Sequence, residues 1–188
     1  MPNQKLLILD RDGVINVDSS EYVKSPEEWI PIKGSLEAIG RLSQAGYDIV
    51  VITNQSGLGR GLFSADMLAK MHARMIDHVQ QHGGKIQSIL FCPHKPDDEC
   101  NCRKPKDGLY QELAERLGIS FNDVYSVGDS VRDLLAAKTA GANPVLVKTG
   151  NGKKSIKQIE SDPELGLESA PVFDNLASFT DALLNNKL

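Results

Sequence analysis

Apolar positions in this chain fall alternately into short solid runs and spaced stripes. Leu6-Leu7-Ile8-Leu9 is a solid run too short for a comfortable helix, and it predicts a strand buried on both faces. Leu36, Ile39 and Leu42 then recur at helical spacing, with Ser35 as the expected cap and Gly46 as the stop. Residues 48–52 predict a second buried strand. Ser64 opens the strongest helical stripe, in which Met67, Leu68, Met71, Met75, Ile76 and Val79 share one face and Gly83-Gly84 ends it. The methionines of that stripe read as core packing. Further along, 86–91, 124–127 and 145–147 predict strands, and 109–117 and 131–140 predict helices. Beyond Gly150 the pattern weakens, leaving a last strand near Val172 and a helix toward the carboxyl terminus.

Strands separated by helices imply right-handed crossovers and a doubly wound, mostly parallel α/β sheet with helices on both faces. No repeat, low-complexity tract or linker divides the 188 residues, so one domain over 1–188 is expected. The longest irregular stretches, 16–34, 55–63 and 93–107, are the segments expected to carry function. His72, His78 and His82 fall on the long helix and are expected on its solvated face.

Composition narrows the partners. At 40% hydrophobic and 24% charged the chain has the balance of a soluble globular protein. A net charge of −4 argues against nucleic-acid or anionic-membrane binding. No apolar run approaches the roughly 20 residues needed to cross a bilayer. Met1–Gln4 lead straight into the first strand without a signal peptide, so a cytoplasmic protein is expected. With no exposed apolar stripe in the pattern, a monomer is expected.

The candidate chemistry sits at the strand ends. In open α/β sheets ligands bind beyond the carboxyl ends of the strands. Asp10-Arg11-Asp12-Gly13 comes after the first, Thr53-Asn54 after the second, Cys92 after the third and Gly128-Asp129 after the fourth. Carboxylates as close as Asp10 and Asp12 repel, so one is protonated or both face a cation, and oxygen-only ligation with a phosphate suits Mg²⁺. Taken alone, Asp-Gly is equally a solvated turn. Together with Lys104 in Arg103-Lys104-Pro105, and with Asp133 one helical turn beyond Asp129, the set suits phosphoryl transfer to an aspartate. Asp10 is the expected nucleophile and Asp12 the general acid and base. Thr53 and Lys104 are expected to stabilise charge on the transferring oxygens. Mg²⁺ is expected on Asp10, Asp129 and the Asp12 backbone carbonyl, with Asp133 holding the ion or the groups behind it.

All three cysteines lie within 92–102. Cys92, His94, Cys100 and Cys102 form a Cys₃His set, a structural zinc composition with four protein ligands, although the spacing is tighter than in common zinc fingers. Such a closed site leaves no place for substrate; its expected task is to fold the loop that presents Arg103 and Lys104. Gly57-Leu58-Gly59-Arg60-Gly61 is a weak candidate for an anion-holding nest. Thr149-Gly150-Asn151-Gly152-Lys153-Lys154-Ser155 resembles a nucleotide phosphate loop only superficially, since Val147 stands where a glycine is required, and it reads as a surface loop.

Asp10-x-Asp12-Gly13, Thr53, Lys104 and Gly128-Asp129-x₃-Asp133 resemble the four motifs of the haloacid dehalogenase (HAD) superfamily of phosphatases, over roughly residues 5–150. The resemblance implies a Rossmann-like core, Mg²⁺ dependence and a phosphoaspartate intermediate. No insertion between Asp12 and Thr53 is large enough for a cap domain, so a site covered only by loops is expected. The Cys-x-His…Cys-x-Cys-Arg-Lys-Pro loop resembles a small branch that holds heptose 1,7-bisphosphate 7-phosphatases and histidinol-phosphate phosphatases. Asn16-Val17-Asp18, Ser56 and Arg60-Gly61 resemble the heptose side. That resemblance implies a doubly phosphorylated sugar substrate and lipopolysaccharide precursor synthesis. It also implies a pocket of Asp18, Ser19, Ser20, Glu21, Asn54, Gln55, Ser56, Arg60, Arg103 and Ser130, where Ser130 replaces a lysine of some members. Two readings of another class remain. A phosphoacceptor signalling domain also combines Asp, Mg²⁺, Thr and Lys, but it stores the acyl phosphate that Asp12 is placed to hydrolyse. A silent zinc scaffold would not need the complete acid set.

Overall fold

The computed structural model describes residues 5–188; Met1–Gln4, the expected lead into the first strand, lie outside the described residues. Six strands form one sheet: β1 (Lys5–Leu9), β2 (Tyr47–Asn54), β3 (Ile86–Cys92), β4 (Tyr125–Gly128), β5 (Asn143–Val147) and β6 (Val172–Phe173). All neighbours pair in parallel, in the order β3-β2-β1-β4-β5-β6. The chain winds outward from β1 in one direction, then returns to its other side with β4. The crevice of the sheet therefore opens between β1 and β4.

The solid apolar run of β1 divides its side chains between two layers, as alternation along a strand requires. Leu7 and Leu9 pack with α1 (Ser35–Gln44), with α3 (Ala65–Gln81), which follows the single turn α2 (Ser56–Gly59), and with α7 (Leu176–Leu184). Leu6 and Ile8 pack with α4 (Gly108–Leu117) and with Ala136 and Ala137 of α5 (Val131–Thr139). A smaller cluster joins Val131, Leu134 and Leu146 to Ile159 of α6 (Gly152–Ser161).

The expected strands and the expected helices up to α5 are present, with ends moved by at most two residues. Two differences have clear causes. Ser35 does not cap α1: Gly34 holds the cap position at φ +85°, and the Ser35 hydroxyl donates instead to the Val14 carbonyl at 2.8 Å. Ser64 does cap α3, accepting from the Met67 amide at 3.2 Å. His72 departs from the expected solvated face: it is buried on α3, packed edge-on to Phe91, because the apolar face of that helix is broad enough to include it. His82 is exposed and His78 packs against Trp29. Residues 13–54 are used up by one loop, α1 and β2, which leaves no cap domain.

Candidate active site

Strand geometry brings the expected chemistry to one place. Asp10 follows β1, and its amide still donates to Val127 of β4 at 2.9 Å, so it sits at the mouth of the crevice. Asp129 follows β4 directly. The carboxylates of Asp10, Asp129 and Asp133 each offer an oxygen within 4.8 Å of the others. Asp10 and Asp133 share the buried Lys104 ammonium, whose Nζ lies 2.6 Å from Asp133 Oδ1 and 3.0 Å from Asp10 Oδ1 and donates to the Ile52 carbonyl at 2.7 Å. Burial alone would discharge that ammonium, but Asp10 and Asp133 outweigh it and hold Lys104 protonated.

One lysine cannot neutralise three acids. Burial, opposed by Lys104 and reinforced by Asp133 and Asp12, pushes the Asp10 carboxyl up to about 6. Burial, with Asp133 and Asp10, pushes Asp129 up to about 8. Asp10 Oδ1 is buried and has an ion pair with Lys104 but no directed hydrogen bond. An oxygen-only cluster with surplus negative charge and an open acceptor fits a hard divalent cation such as Mg²⁺. Asp133 is committed on both sides: Oδ1 meets Lys104, and Oδ2 accepts from the Ser130 amide at 3.0 Å and hydroxyl at 2.5 Å.

Glycines clear the space around Asp129. Gly13 stands at φ +82° and Gly150 at φ +54°, and a Cβ on either would come within 2.1 Å of Asp129 Oδ2.

Asp12 is held differently. Arg11, almost completely buried, donates Nη2 to both its oxygens at 3.0 and 2.9 Å and Nε to Oδ1 at 3.2 Å. Asn16 Nδ2 donates to Oδ1 at 2.8 Å and Gln55 Nε2 to Oδ2 at 2.9 Å. Burial works to raise the Asp12 carboxyl, but the Arg11 charge and these donors win and keep it below its usual range. Gln55 also donates to Thr53 Oγ1 at 3.0 Å, leaving the hydroxyl hydrogen of buried Thr53 available to a phosphoryl oxygen.

A cavity of about 400 Å³ lies over these groups. It is lined by Asp10, Asp12, Asp18, Ser19, Ser20, Thr53, Asn54, Gln55, Ser56, Arg60, Arg103, Lys104, Asp129 and Asp133. Two expected pocket residues are elsewhere. Glu21 lines an adjoining groove beside Val17 and Ile30. Ser130 is buried and spends its hydroxyl on Asp133 at the start of α5. Asn54 and Gln55 line the cavity, but their amides brace other site residues. Asn54 exchanges two 3.1 Å hydrogen bonds with the backbone of Lys104, and Gln55 serves Asp12 and Thr53.

The structure adds Arg11, Asn16, Arg132 and Asn151. Arg132 and Asn151 line the cavity. The 149–155 segment is not a free surface loop: the Asn151 amide donates to Asp129 Oδ2 at 2.7 Å and Ser155 Oγ to the Asp129 carbonyl at 2.9 Å. Its glycines and its place directly after a predicted strand were the available signals. The dominant pattern of four other strand ends concealed them.

Cys92 ends β3 beside Asn54, and the next ten residues fold back over it. Cys92 Sγ lies 3.2 Å from Cys102 and 3.6 Å from Cys100; Cys100 and Cys102 are 3.5 Å apart. His94 Nδ1 lies 3.2 Å from Cys102 and 3.7 Å from Cys92. Four ligands around zinc, with Zn–S bonds of about 2.3 Å, form a tetrahedron whose edges are roughly 3.5–3.8 Å. The cluster fits that ion and can hold it. Arg103, immediately after Cys102, donates Nη1 to the His94 carbonyl at 3.2 Å, which ties the loop to the cavity wall.

A family model described as HAD-hydrolase-like matches residues 101–179. The D-glycero-β-D-manno-heptose-1,7-bisphosphate 7-phosphatase of Pseudomonas aeruginosa is 47% identical over 182 residues, 97% of this chain and 99% of that protein. The enzyme of the same name from Pseudomonas putida is 49% identical over 180 residues, 96% of this chain and 99% of that protein. The crystal structure of a D,D-heptose 1,7-bisphosphate phosphatase from B. bronchiseptica, complexed with magnesium and phosphate, is similar at TM-score 0.92 and 48% identity, covering 97% of this chain and 99% of that one.

Proposed function

Because this chain belongs to the D,D-heptose 1,7-bisphosphate 7-phosphatase family of HAD-like hydrolases, we propose that it removes the 7-phosphate of D-glycero-β-D-manno-heptose 1,7-bisphosphate by way of an aspartyl phosphate. The carrying observation is that Asp10, Asp12, Thr53 and Lys104 meet in one cavity beside a carboxylate cluster fitted to a hard cation.

In the first step a carboxylate oxygen of Asp10 bonds to phosphorus as the bond to the 7-oxygen breaks, and Asp12 gives that oxygen a proton. In the second, water bonds to phosphorus, gives its proton to Asp12, and the Asp10–phosphorus bond breaks. The carboxylate form held by Arg11, Asn16 and Gln55 is the one the second step needs. For the first step, the negative charge of an arriving phosphate raises the proton affinity of Asp12. Lys104, fixed between Asp10 and Asp133, and the Thr53 hydroxyl face the transferring oxygens. Magnesium, when held by Asp10, Asp129 and the Asp12 carbonyl, offsets the repulsion between carboxylate and phosphate. Asp133 acts by anchoring Lys104. Arg60 and Arg103, on the cavity wall, supply cations for the second phosphate.

On this reading such a reaction serves the making of heptose for lipopolysaccharide, a step that the heptose bisphosphate named for its relatives supports. A cytoplasmic enzyme accords with a small phosphorylated substrate, and we read it as a monomer. No helix among the described residues is long and apolar enough to cross a membrane. The deciding experiment measures phosphate release with Mg²⁺ from both heptose 1,7-bisphosphate anomers and from histidinol phosphate. Preference for the β anomer is expected; preference for histidinol phosphate overturns the substrate assignment and leaves the catalytic residues in place.

A further inference from the structure

We propose that Asn151 is a positioning residue that latches the loop around Asp18 to Asp129, so that the wall of the sugar pocket and the metal-holding carboxylate share one tether. The inference rests on the phosphatase reading above and adds to it a residue of the loop between β5 and α6.

The segment is built into the site. Thr149 Oγ1 donates to the Gly13 carbonyl at 2.6 Å, and Gly150 lies so close to Asp129 that no side chain fits there. Asn151 then reaches in two directions. Its backbone amide donates to Asp129 Oδ2 at 2.7 Å, and its side-chain Nδ2 lies 3.2 Å from the same oxygen and 2.8 Å from Asp18 Oδ2. An amide nitrogen carries two hydrogens and no charge, so it can serve both acids at once. The other Asp18 oxygen accepts from the Ser19 amide at 2.8 Å, which carries the tether into the loop. Asp18, Ser19, Ser20 and Tyr22 all line the cavity, and Tyr22 stands at φ +64°, an unfavourable backbone conformation for a side chain of that size. Without the Asn151 side-chain amide, Asp18 loses its link to Asp129 and the loop is free to move outward.

The latch predicts a split between substrates. A small aryl phosphate needs the strand-end groups but not the Asp18 loop; a heptose bisphosphate needs both. For Asn151→Ala, KM for the heptose bisphosphate should rise about tenfold, the worth of one charge-assisted hydrogen bond, with kcat within about twofold. On p-nitrophenyl phosphate, which does not reach the Asp18 loop, the loss in kcat/KM should be distinctly smaller. Asp18→Ala should show the same split, and the double variant should be no worse than either single. Hydrogen–deuterium exchange of residues 17–23 should accelerate in Asn151→Ala while the strands stay protected. Equal losses on both substrates, additive effects in the double variant, or unchanged exchange over 17–23 would each overturn the latch. If the wild-type protein shows no preference for the heptose bisphosphate over p-nitrophenyl phosphate, the substrate assignment has failed, and the exchange experiment still decides the latch.

Discussion

The two clusters able to hold an ion are assembled in opposite ways. Asp10, Asp129 and Asp133 come from the ends of β1 and β4 and the first turn of α5, more than a hundred residues apart, and meet because those strands are neighbours. Cys92, His94, Cys100 and Cys102 come from one loop that closes on itself. The carboxylate cluster is buried, carries surplus charge and keeps an acceptor open. The sulfur cluster has an atom from the protein at every corner. An ion in the first therefore has room for a substrate oxygen, whereas an ion in the second can only hold the chain together. On the proposed reading the sheet supplies the reactive centre, and a zinc-closed loop would present Arg103 and Lys104 to it.

Breaking the first cluster should have the larger effect. Asp10→Asn removes the nucleophile and should lower phosphate release by about 10⁴-fold or more while the folded signal in circular dichroism is kept. Residual turnover near the wild-type rate would remove Asp10 from its role. Lys104→Met should cost about 10³-fold in kcat. Because it also strands Asp10 and Asp133 as buried acids, it should lower the unfolding free energy by about 3 kcal/mol, read by urea denaturation. Asp10→Asn spares that ion network's lysine, so the two variants separate chemistry from stability.

The second cluster should respond in the reverse proportion. Cys100→Ser should abolish stoichiometric zinc, measured by elemental analysis, lower the melting temperature by several degrees and reduce kcat/KM by about 10- to 100-fold through the loosened Arg103–Lys104 segment. Withdrawing Mg²⁺ by exchange into Mg²⁺-free buffer should instead stop turnover and leave the melting temperature nearly unchanged, with activity restored by adding Mg²⁺. A zinc-free variant with full activity would sever the loop from catalysis.

Legibility in the sequence divides along the same line. The buried strands showed as solid apolar runs, and strand ends could be aligned without knowing any distance, so Asp10, Asp12, Thr53 and Asp129 were readable. The Cys₃His set was readable because it is local. What depends on side-chain direction was not. Ser130 looked like a pocket residue and is turned to Asp133; Gln55 looked like a sugar contact and braces Asp12. Arg11, between two acids, gave no hint that it would be buried and folded back on its neighbour. Asn151 belongs to the weakly patterned end of the chain, where only α6 packing places it over Asp129.

His72 gives the smallest effect and the one that tests the buried layer behind both clusters. It is buried on α3 with no hydrogen-bond partner on Nε2, and burial, aided by the Arg11 charge and opposed by Asp12, brings its pKa down from 6.5 to about 4. The folded protein thus keeps the imidazole neutral where the unfolded chain would take up a proton. The resulting stability is fully present above pH 6.5 and is lost as the pH falls from 6.5 toward 4. At pH 5 the loss should be about 2 kcal/mol from this residue. Asp10 and Asp129, whose carboxyls are raised, act in the opposite direction over the same range, so the wild-type profile alone is a sum. The difference between wild type and His72→Leu isolates the histidine, since the carboxylates are common to both. Urea midpoints at pH 7.5 and pH 5 should show the variant losing about 2 kcal/mol less than wild type on acidification; equal losses would mean that His72 is protonated without penalty, and that the layer under Arg11 admits water.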